Sequence, residues 1–216
     1  MSIILHGVNA SPFVRKVRAA LIEKNIPYAL VPQMQFGQPP EYLKISPLGK
    51  IPCLQDGDYA LPDSSCILAY LERTNPKPAL YPEDPKQYGR ALFLEEYADS
   101  KLVETLGPVF FQRVVRKVIF KQESDEEIVR NKIDVEAPKI FDWLESQIGD
   151  REWLVGVRFG IADIAVASPF VNFAHAGESV DAGRWPRLAA YLERVHARPS
   201  FKALIEEERQ AFKPAR

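Results

Sequence analysis

The chain has little of what would mark it for a specialised environment. Among 216 residues there are two cysteines and three histidines. Cys53 and Cys66 both sit inside apolar stretches, which predicts buried thiols in a reducing compartment and not a disulfide framework. His6, His175 and His196 are scattered, with no HExxH or other metal-ligand spacing, so no metal site is expected. Excess charge is also lacking. A formal net charge of −1 provides no global field toward nucleic acid or an anionic membrane. No window approaches the roughly 18 uncharged apolar residues of a membrane span. The opening MSIILHG lacks the charged region and apolar run of a leader. Repeats, low-complexity tracts, a G-x-S-x-G elbow and a phosphate loop are missing as well. These absences leave a cytoplasmic globular protein with no nucleic-acid or membrane partner.

What is present is an ordinary globular composition, 46% apolar and 26% charged, in a chain long enough for one large domain or two modest ones. Ser2 to Leu5 and Tyr28 to Val31 read as strands. Between them Ser11-Pro12 has the form of an N-cap followed by proline at the first helical position. Val14, Val17 and Leu21 then mark one helical face, and the helix is expected to stop before Pro27. This is a βαβ unit with neighbouring parallel strands. A Pro/Gly-rich loop, Phe36 to Pro40, and a short helical stretch follow. Ile51 to Gln55 and Tyr59 to Leu61 are strand-like around an Asp56-Gly57-Asp58 turn. Asp63-Ser64-Ser65 starts a helix with Ile67, Tyr70 and Leu71 on its buried face. The order β-α-β, linking helix, β-β-α is that of the thioredoxin-like fold.

Composition then shifts. Four prolines between Asn75 and Pro85 read as a linker, and no convincing strand follows. Tyr88 to Lys121 is a long helical pattern with a bend expected at Gly107-Pro108. Ile133, Ala137, Ile140, Phe141, Leu144 and Ile148 keep one apolar stripe, Phe159 to Phe170 looks buried, and helices over Pro186 to His196 and Ser200 to Phe212 close the chain. The expected division is residues 1–77 as an α/β thioredoxin-like domain, 78–86 as a linker and 87–216 as an all-α helical bundle.

Three segments carry candidate chemistry. In Asn9-Ala10-Ser11-Pro12-Phe13-Val14, Ser11 alone reads as a helix cap worth about 1 kcal/mol. The same geometry, a hydroxyl and backbone N–H groups at the positive end of a helix dipole, suits an anion such as a thiolate. A thiol with an ordinary pKa of about 8.5 is mostly protonated at neutral pH, and each unit of depression needs about 1.4 kcal/mol. Ser11 would then keep another molecule's sulfur ionised without itself being a nucleophile. In Lys50-Ile51-Pro52-Cys53, the proline is either simple strand entry or part of a cis bond that turns the Ile51 backbone toward an extended peptide. Lys50 is a solvated charge or the partner of a ligand carboxylate. At Asp63-Ser64 the default is capping. In a site, Ser64 would hold a carboxylate and Asp63 an ammonium, the two groups at an amino acid's main-chain end. A basic run, Arg113, Arg116, Lys117 and Lys121, is a solvated face or a site edge for acidic co-substrates.

The segments SPFVRKVR, PLGKIPCL and DSSCILAYLE, in this order and spacing, resemble the N-terminal domain of the cytosolic glutathione transferase family, in its serine-type, bacterial-like form. VGVRFGIADIA and WPRLAAYLERVHARPSF extend the resemblance over nearly the whole chain. It implies a thioredoxin-like domain that binds glutathione, followed by a helical bundle. Ser11 would contact the glutathione sulfur, Ile51 beside a cis Pro52 would pair with the cysteinyl unit, Asp63 and Ser64 would take the γ-glutamyl end, and Lys50 the glycyl carboxylate. Two departures stand out: Asp63 replaces the family's usual Glu, and Gly160 replaces the Ser or Thr that usually caps the helix carrying Asp163. Asp163 is still expected to reach the Gly160 N–H, with Phe159 and Ile164 spaced as a hydrophobic staple. The implied activity is conjugation of the glutathione thiolate to a hydrophobic electrophile, in detoxification, by a cytoplasmic homodimer with glutathione as co-substrate and no cofactor. Val8, Asn9, Phe36, Phe110 and Phe111 are candidates for the electrophile pocket, expected between the two domains. Glutathione-dependent isomerase, dehalogenase or peroxidase chemistry on the same site, or a non-catalytic scaffold of the same fold, are the rival readings.

Overall fold

The computed structural model describes residues 3–211, which divide into two compact units; residues 82–198 form one, and residues up to Tyr81 together with those from Pro199 onward form the other. Ser2, Phe212 and the other terminal positions in the expected ranges lie outside the described residues.

The first unit is built on a four-stranded sheet of β1 (Ile3–Gly7), β2 (Tyr28–Pro32), β3 (Cys53–Asp56) and β4 (Tyr59–Pro62), in the order β2-β1-β3-β4. β1 and β2 are parallel, as a βαβ unit requires, while β3 runs antiparallel to β1 and β4 to β3. Helix α1 (Pro12–Glu23) joins β1 to β2, α2 (Pro40–Ile45) joins β2 to β3, and α3 (Ser64–Thr74) follows β4. The predicted faces are those that bury: Val14, Val17 and Leu21 from α1, and Ile67 and Leu71 from α3. Tyr70 stays half-buried, its hydroxyl donating to Asp56 at 2.8 Å. Gly7 ends β1 where α1 passes closest, since a Cβ there would stand 2.4 Å from Val14 Cγ2. Cys53 is buried and Cys66 is exposed. The expectation of two core thiols therefore fails at Cys66, because Ile67, Leu68 and Leu71 take the inner face of α3 and leave its outer face to residue 66.

The last helix of the described residues, α11 (Pro199–Ala211), belongs to this unit. The sequence reading placed it with the helical bundle; it packs on α1 instead. Arg15 donates from Nε and Nη2 to the two oxygens of Glu208, at 2.8 and 2.6 Å, and the two side chains are 0% and 1% exposed. A carboxylate so deeply buried needs such a bidentate partner.

The second unit is helical. It contains α4 (Pro85–Tyr97), α5 (Val103–Phe110), α6 (Arg116–Val118), α7 (Glu126–Arg130), α8 (Ala137–Ile148), α9 (Ile161–His175) and α10 (Pro186–His196). Helix α5 runs through Gly107-Pro108 without ending, and the backbone departs from α geometry on either side, in π-helical turns over Ala98–Leu102 and Phe111–Val115. The stripe on α8 buries Ala137, Ile140, Phe141, Leu144 and Ile148. Helix α9 is buried from Ile161 to Phe173, and Asp163 fixes its start. Its carboxylate accepts from Gly160 N (2.9 Å), Leu154 N (2.9 Å) and Tyr191 Oη (2.9 Å). No helix of the described residues is long and apolar enough to cross a membrane.

Burial pushes the Asp163 carboxyl up to about 6, against the three donors that favour its ionised form. Its folded pKa thus lies above the ordinary 3.8, so the fold binds this proton more tightly than the unfolded chain does. The contribution is full below pH 4 and falls by about 3 kcal/mol as pH rises through 6. Tyr191→Phe removes one donor to the anion. Denaturant titrations should show it costing about 1–2 kcal/mol at pH 8 and distinctly less at pH 5; equal losses at the two pH values would mean that the hydroxyl does not serve the carboxylate.

Candidate functional site

Strand register brings the three sequence segments to one end of the sheet. His6 of β1 pairs with Cys53 of β3, and Cys53 pairs with Pro62 of β4. The C-terminal end of β1, the N-terminal end of β3 and the C-terminal end of β4 are therefore side by side, at strand spacings of about 4.8 Å. Ser11 follows the first, Ile51-Pro52 precedes the second, and Asp63-Ser64 follows the third. The Lys16 ammonium on α1 donates to Ser65 Oγ at the start of α3, at 3.0 Å, which ties the first and third segments together.

Ser11 caps α1. Its Oγ accepts from Val14 N at 3.3 Å, and its own N–H donates to Val8 O at 3.2 Å. Pro12 has no N–H, which leaves that of Phe13 as the backbone donor of this first turn for a ligand. The hydroxyl proton of Ser11 is not used by the cap, where the oxygen is the acceptor. An anion at this helix end would meet one hydroxyl, one backbone N–H and the helix dipole.

The Ile51-Pro52 peptide is cis, and Ile51 lies just before the β3 ladder begins. The Lys50 carbonyl is held by the hydroxyls of Tyr42 and Ser46, both at 2.7 Å, while the Lys50 side chain belongs to an exposed residue. Burial pushes the Tyr42 hydroxyl up to about 12, so it stays a donor. Cys53, buried beside this segment, is pushed up to about 11 by desolvation and is a poor nucleophile at neutral pH.

Asp63 caps α3, its Oδ1 accepting from Ser65 N and Cys66 N at 3.0 Å each. Its φ of +76° is one that residues with a Cβ rarely adopt. Ser64, at the first helical position, is buried and Asp63 is exposed.

Of the electrophile-pocket candidates, Val8 and Asn9 line a cavity of about 480 Å³ together with Gly7, Ala10, Leu30, Pro32, Glu207, Glu208 and Ala211. Phe36 is exposed in the loop after β2 and is not among those lining residues. Phe110 and Phe111 belong to the helical unit. Phe110 is buried there, and the Phe111 ring lies 6.1 Å from that of Phe120, so packing accounts for both. Arg113 of the basic run is likewise engaged, with Glu126 and Glu178. What the sequence reading missed is the contribution of α11. Glu206-Glu207-Glu208 looks like a solvated face, and its one signal was the cationic Arg15-Lys16-Val17-Arg18 far upstream.

Comparison with known proteins identifies the family. Residues 5–79 match the family model for the glutathione S-transferase N-terminal domain, and residues 127–194 that for the C-terminal domain. The chain is 31% identical to a maleylacetoacetate isomerase of Pseudomonas aeruginosa, over 87% of this chain and 88% of that one. It belongs to the glutathione S-transferase family. Within the family it is 29% identical to a glutathione S-transferase of Hyoscyamus muticus, covering 95% of this chain and 99% of that one. A crystal structure of a Methylobacterium radiotolerans glutathione S-transferase, in complex with glutathione sulfonate, superposes with a TM-score of 0.76 at 30% identity, covering 95% of each chain.

The cap and the backbone at Asp63 make separable demands. Asp63→Ala keeps the Cβ and loses the acceptor, and should cost about 1–2 kcal/mol in a denaturant titration. Asp63→Gly loses the same acceptor but relieves the positive φ, so it should cost less than alanine. A glycine variant less stable than the alanine variant would show that no strain is held at this position.

Proposed function

We propose that the chain is a glutathione transferase that joins the glutathione thiolate to an uncharged, hydrophobic electrophile. The observation that carries this reading is the convergence of a helix N-terminus bearing Ser11 with the Lys50-Ile51-Pro52 and Asp63-Ser64 segments at one end of the sheet. In the proposed complex the γ-glutamyl end meets Asp63 and Ser64, the cysteinyl backbone meets Ile51 beside Pro52, and the glycyl carboxylate meets Lys50. The sulfur then lies at Ser11, whose hydroxyl donates to it. The thiolate attacks an electrophilic carbon, the carbon–sulfur bond forms, and the leaving group departs with the electron pair of the bond it breaks. Holding both reactants in one place supplies much of the acceleration.

The electrophile's apolar part is assigned to the cavity behind the loop of residues 8–10. Its apolar wall comes from Val8, Ala10, Leu30, Pro32 and Ala211. Its two carboxylates are already matched, Glu208 by Arg15 and Glu207 by Arg18, so the wall asks no charge of its ligand. Detoxifying conjugation by a cytoplasmic homodimer is the corresponding cellular role. Isomerisation through the same thiolate is the second reading, favoured by the likeness to the Pseudomonas aeruginosa isomerase, and a panel of neutral electrophiles and isomerisable substrates separates the two.

Ser11→Ala tests the sulfur assignment. Glutathione should bind within a few-fold of the unaltered protein, while the pKa of the bound thiol, followed by thiolate absorbance, rises by about one unit or more, a loss of about 1.4 kcal/mol per unit. An unmoved thiol pKa would reduce Ser11 to a helix cap. Leu30→Trp fills the proposed electrophile cavity. Steady-state kinetics should then give a KM for a bulky electrophile raised about ten-fold or more, with that for glutathione unchanged; an unaltered electrophile KM would place that substrate elsewhere.

A further inference from the structure

The loop between β1 and α1 is held from a distant part of the chain. Arg18 donates from Nη1 to Asn9 Oδ1 at 2.8 Å and from Nη2 to Glu207 Oε2 at 2.7 Å. Asn9 Nδ2 donates to Glu207 Oε1 at 2.9 Å, across 198 positions of sequence. The three side chains form a closed ring in which the Asn9 amide is used on both sides, its oxygen by a cation and its nitrogen by an anion. Arg18 is oriented in turn by Tyr28, whose Oη accepts from Nε at 2.7 Å. Burial alone would weaken the Arg18 charge, but its bonds to Tyr28 and Glu207 outweigh that and raise its pKa. The loop is thereby fixed at Val8 by a backbone bond, at Asn9 by its side chain and at Ser11 by the cap.

Attachment of α11 to the unit does not require this ring. The adjacent Arg15–Glu208 pair is bidentate and fully buried, and Ser200 donates to Glu23 at the other end of the helix, at 2.5 Å. The Glu207 side chain is 46% exposed, a setting in which an ion pair adds little to stability. Its geometry is better explained by what it holds.

We propose that Glu207 is a positioning residue for Ser11: through Asn9, two residues before the serine, it sets the loop so that the hydroxyl meets the glutathione sulfur. The last helix thus governs the reactivity of a site built from the first residues of the chain. The inference rests on the assignment of Ser11 to the thiolate, and the experiment separates the two. Glu207→Ala, Glu207→Gln, Ser11→Ala and the double variant Ser11→Ala/Glu207→Ala are made in the full chain, with the pKa of bound glutathione, kcat, the KM for glutathione and Tm as readouts. Glu207→Ala should raise the bound-thiol pKa by about half a unit or more and lower kcat at neutral pH about three- to ten-fold, with the glutathione KM within two-fold. Glu207→Gln, which keeps an acceptor for Asn9, should recover most of the lost kcat. In the double variant, loss of Glu207 should add nothing to the shift already produced by Ser11→Ala. A Glu207→Ala protein with a lower Tm and an unmoved thiol pKa overturns the proposal while leaving Ser11 in place, as does full additivity in the double variant. If Ser11→Ala itself leaves the thiol pKa unmoved, the Ser11 reading has failed and this inference falls with it.

Discussion

A carboxylate and a guanidinium removed from water cost several kcal/mol each, and only close, doubly bonded geometry offsets that cost. Arg15 and Glu208 meet the condition with two hydrogen bonds and almost no exposure. Breaking such a pair leaves a buried charge and costs about 3–5 kcal/mol, so removing α11 from α1 would strand the Arg15 guanidinium at that cost. The chain leaves this unit at Tyr81 and returns to it at Pro199. The ion pair favours the return, and the helix it holds makes the far end of the sequence part of the wall around Val8, Asn9 and Ala10.

The same helix end explains an apparent economy at the candidate site. Anion-binding loops commonly offer several backbone N–H groups, but proline at residue 12 and the inward bonds of the Ser11 and Val14 N–H groups leave one. Lys16 and Arg18 add positive charge to α1 close by, each with a bonded partner, Ser65 for the first and Glu207, Asn9 and Tyr28 for the second. The positive end of the helix is therefore rigid and crowded. Rigidity of this kind favours a ligand whose charge falls at one atom over one that spreads it, and a thiolate sulfur is such a ligand.

Much of this was legible in the sequence because it depends on local patterns. The alternation of β1 and the Val14, Val17 and Leu21 face follow from periods of two and 3.6 residues. Ser11 as a cap and Asp163 bonded to the Gly160 N–H follow from side-chain reach over three positions. The turn at Gly57 follows from a φ of +66° that glycine adopts at no steric cost. Errors arose where distant residues decide. The roles of Glu207 and Glu208 went unread because their partners, Arg18 and Arg15, lie far upstream in the sequence. Cys66 was misplaced by its apolar neighbours, since Ile67 and Leu68 point inward from the same turn that turns residue 66 outward. The bend expected at Gly107-Pro108 falls inside α5, which continues through it between two π-helical turns that accommodate lost backbone bonds without ending the helix.

Magnitudes decide which part of the candidate site matters most. Lowering a thiol pKa by one to two units requires about 1.4–2.8 kcal/mol in favour of the anion. A helix N-terminus supplies about 0.3–1 kcal/mol at an exposed position and up to about 2 where partly buried. A hydrogen bond to a charged acceptor supplies about 1.5–3 kcal/mol, but only with the donor at about 3 Å and well aligned. The dipole falls off slowly with small displacements, whereas the hydroxyl bond does not. A shift of the Ser11 loop by 1 Å would leave the dipole almost intact and lose most of the larger contribution. In the proposed complex one hydroxyl carries the greater share, so the residues that fix the loop before it, Asn9, Arg18 and Glu207, act on the larger contribution.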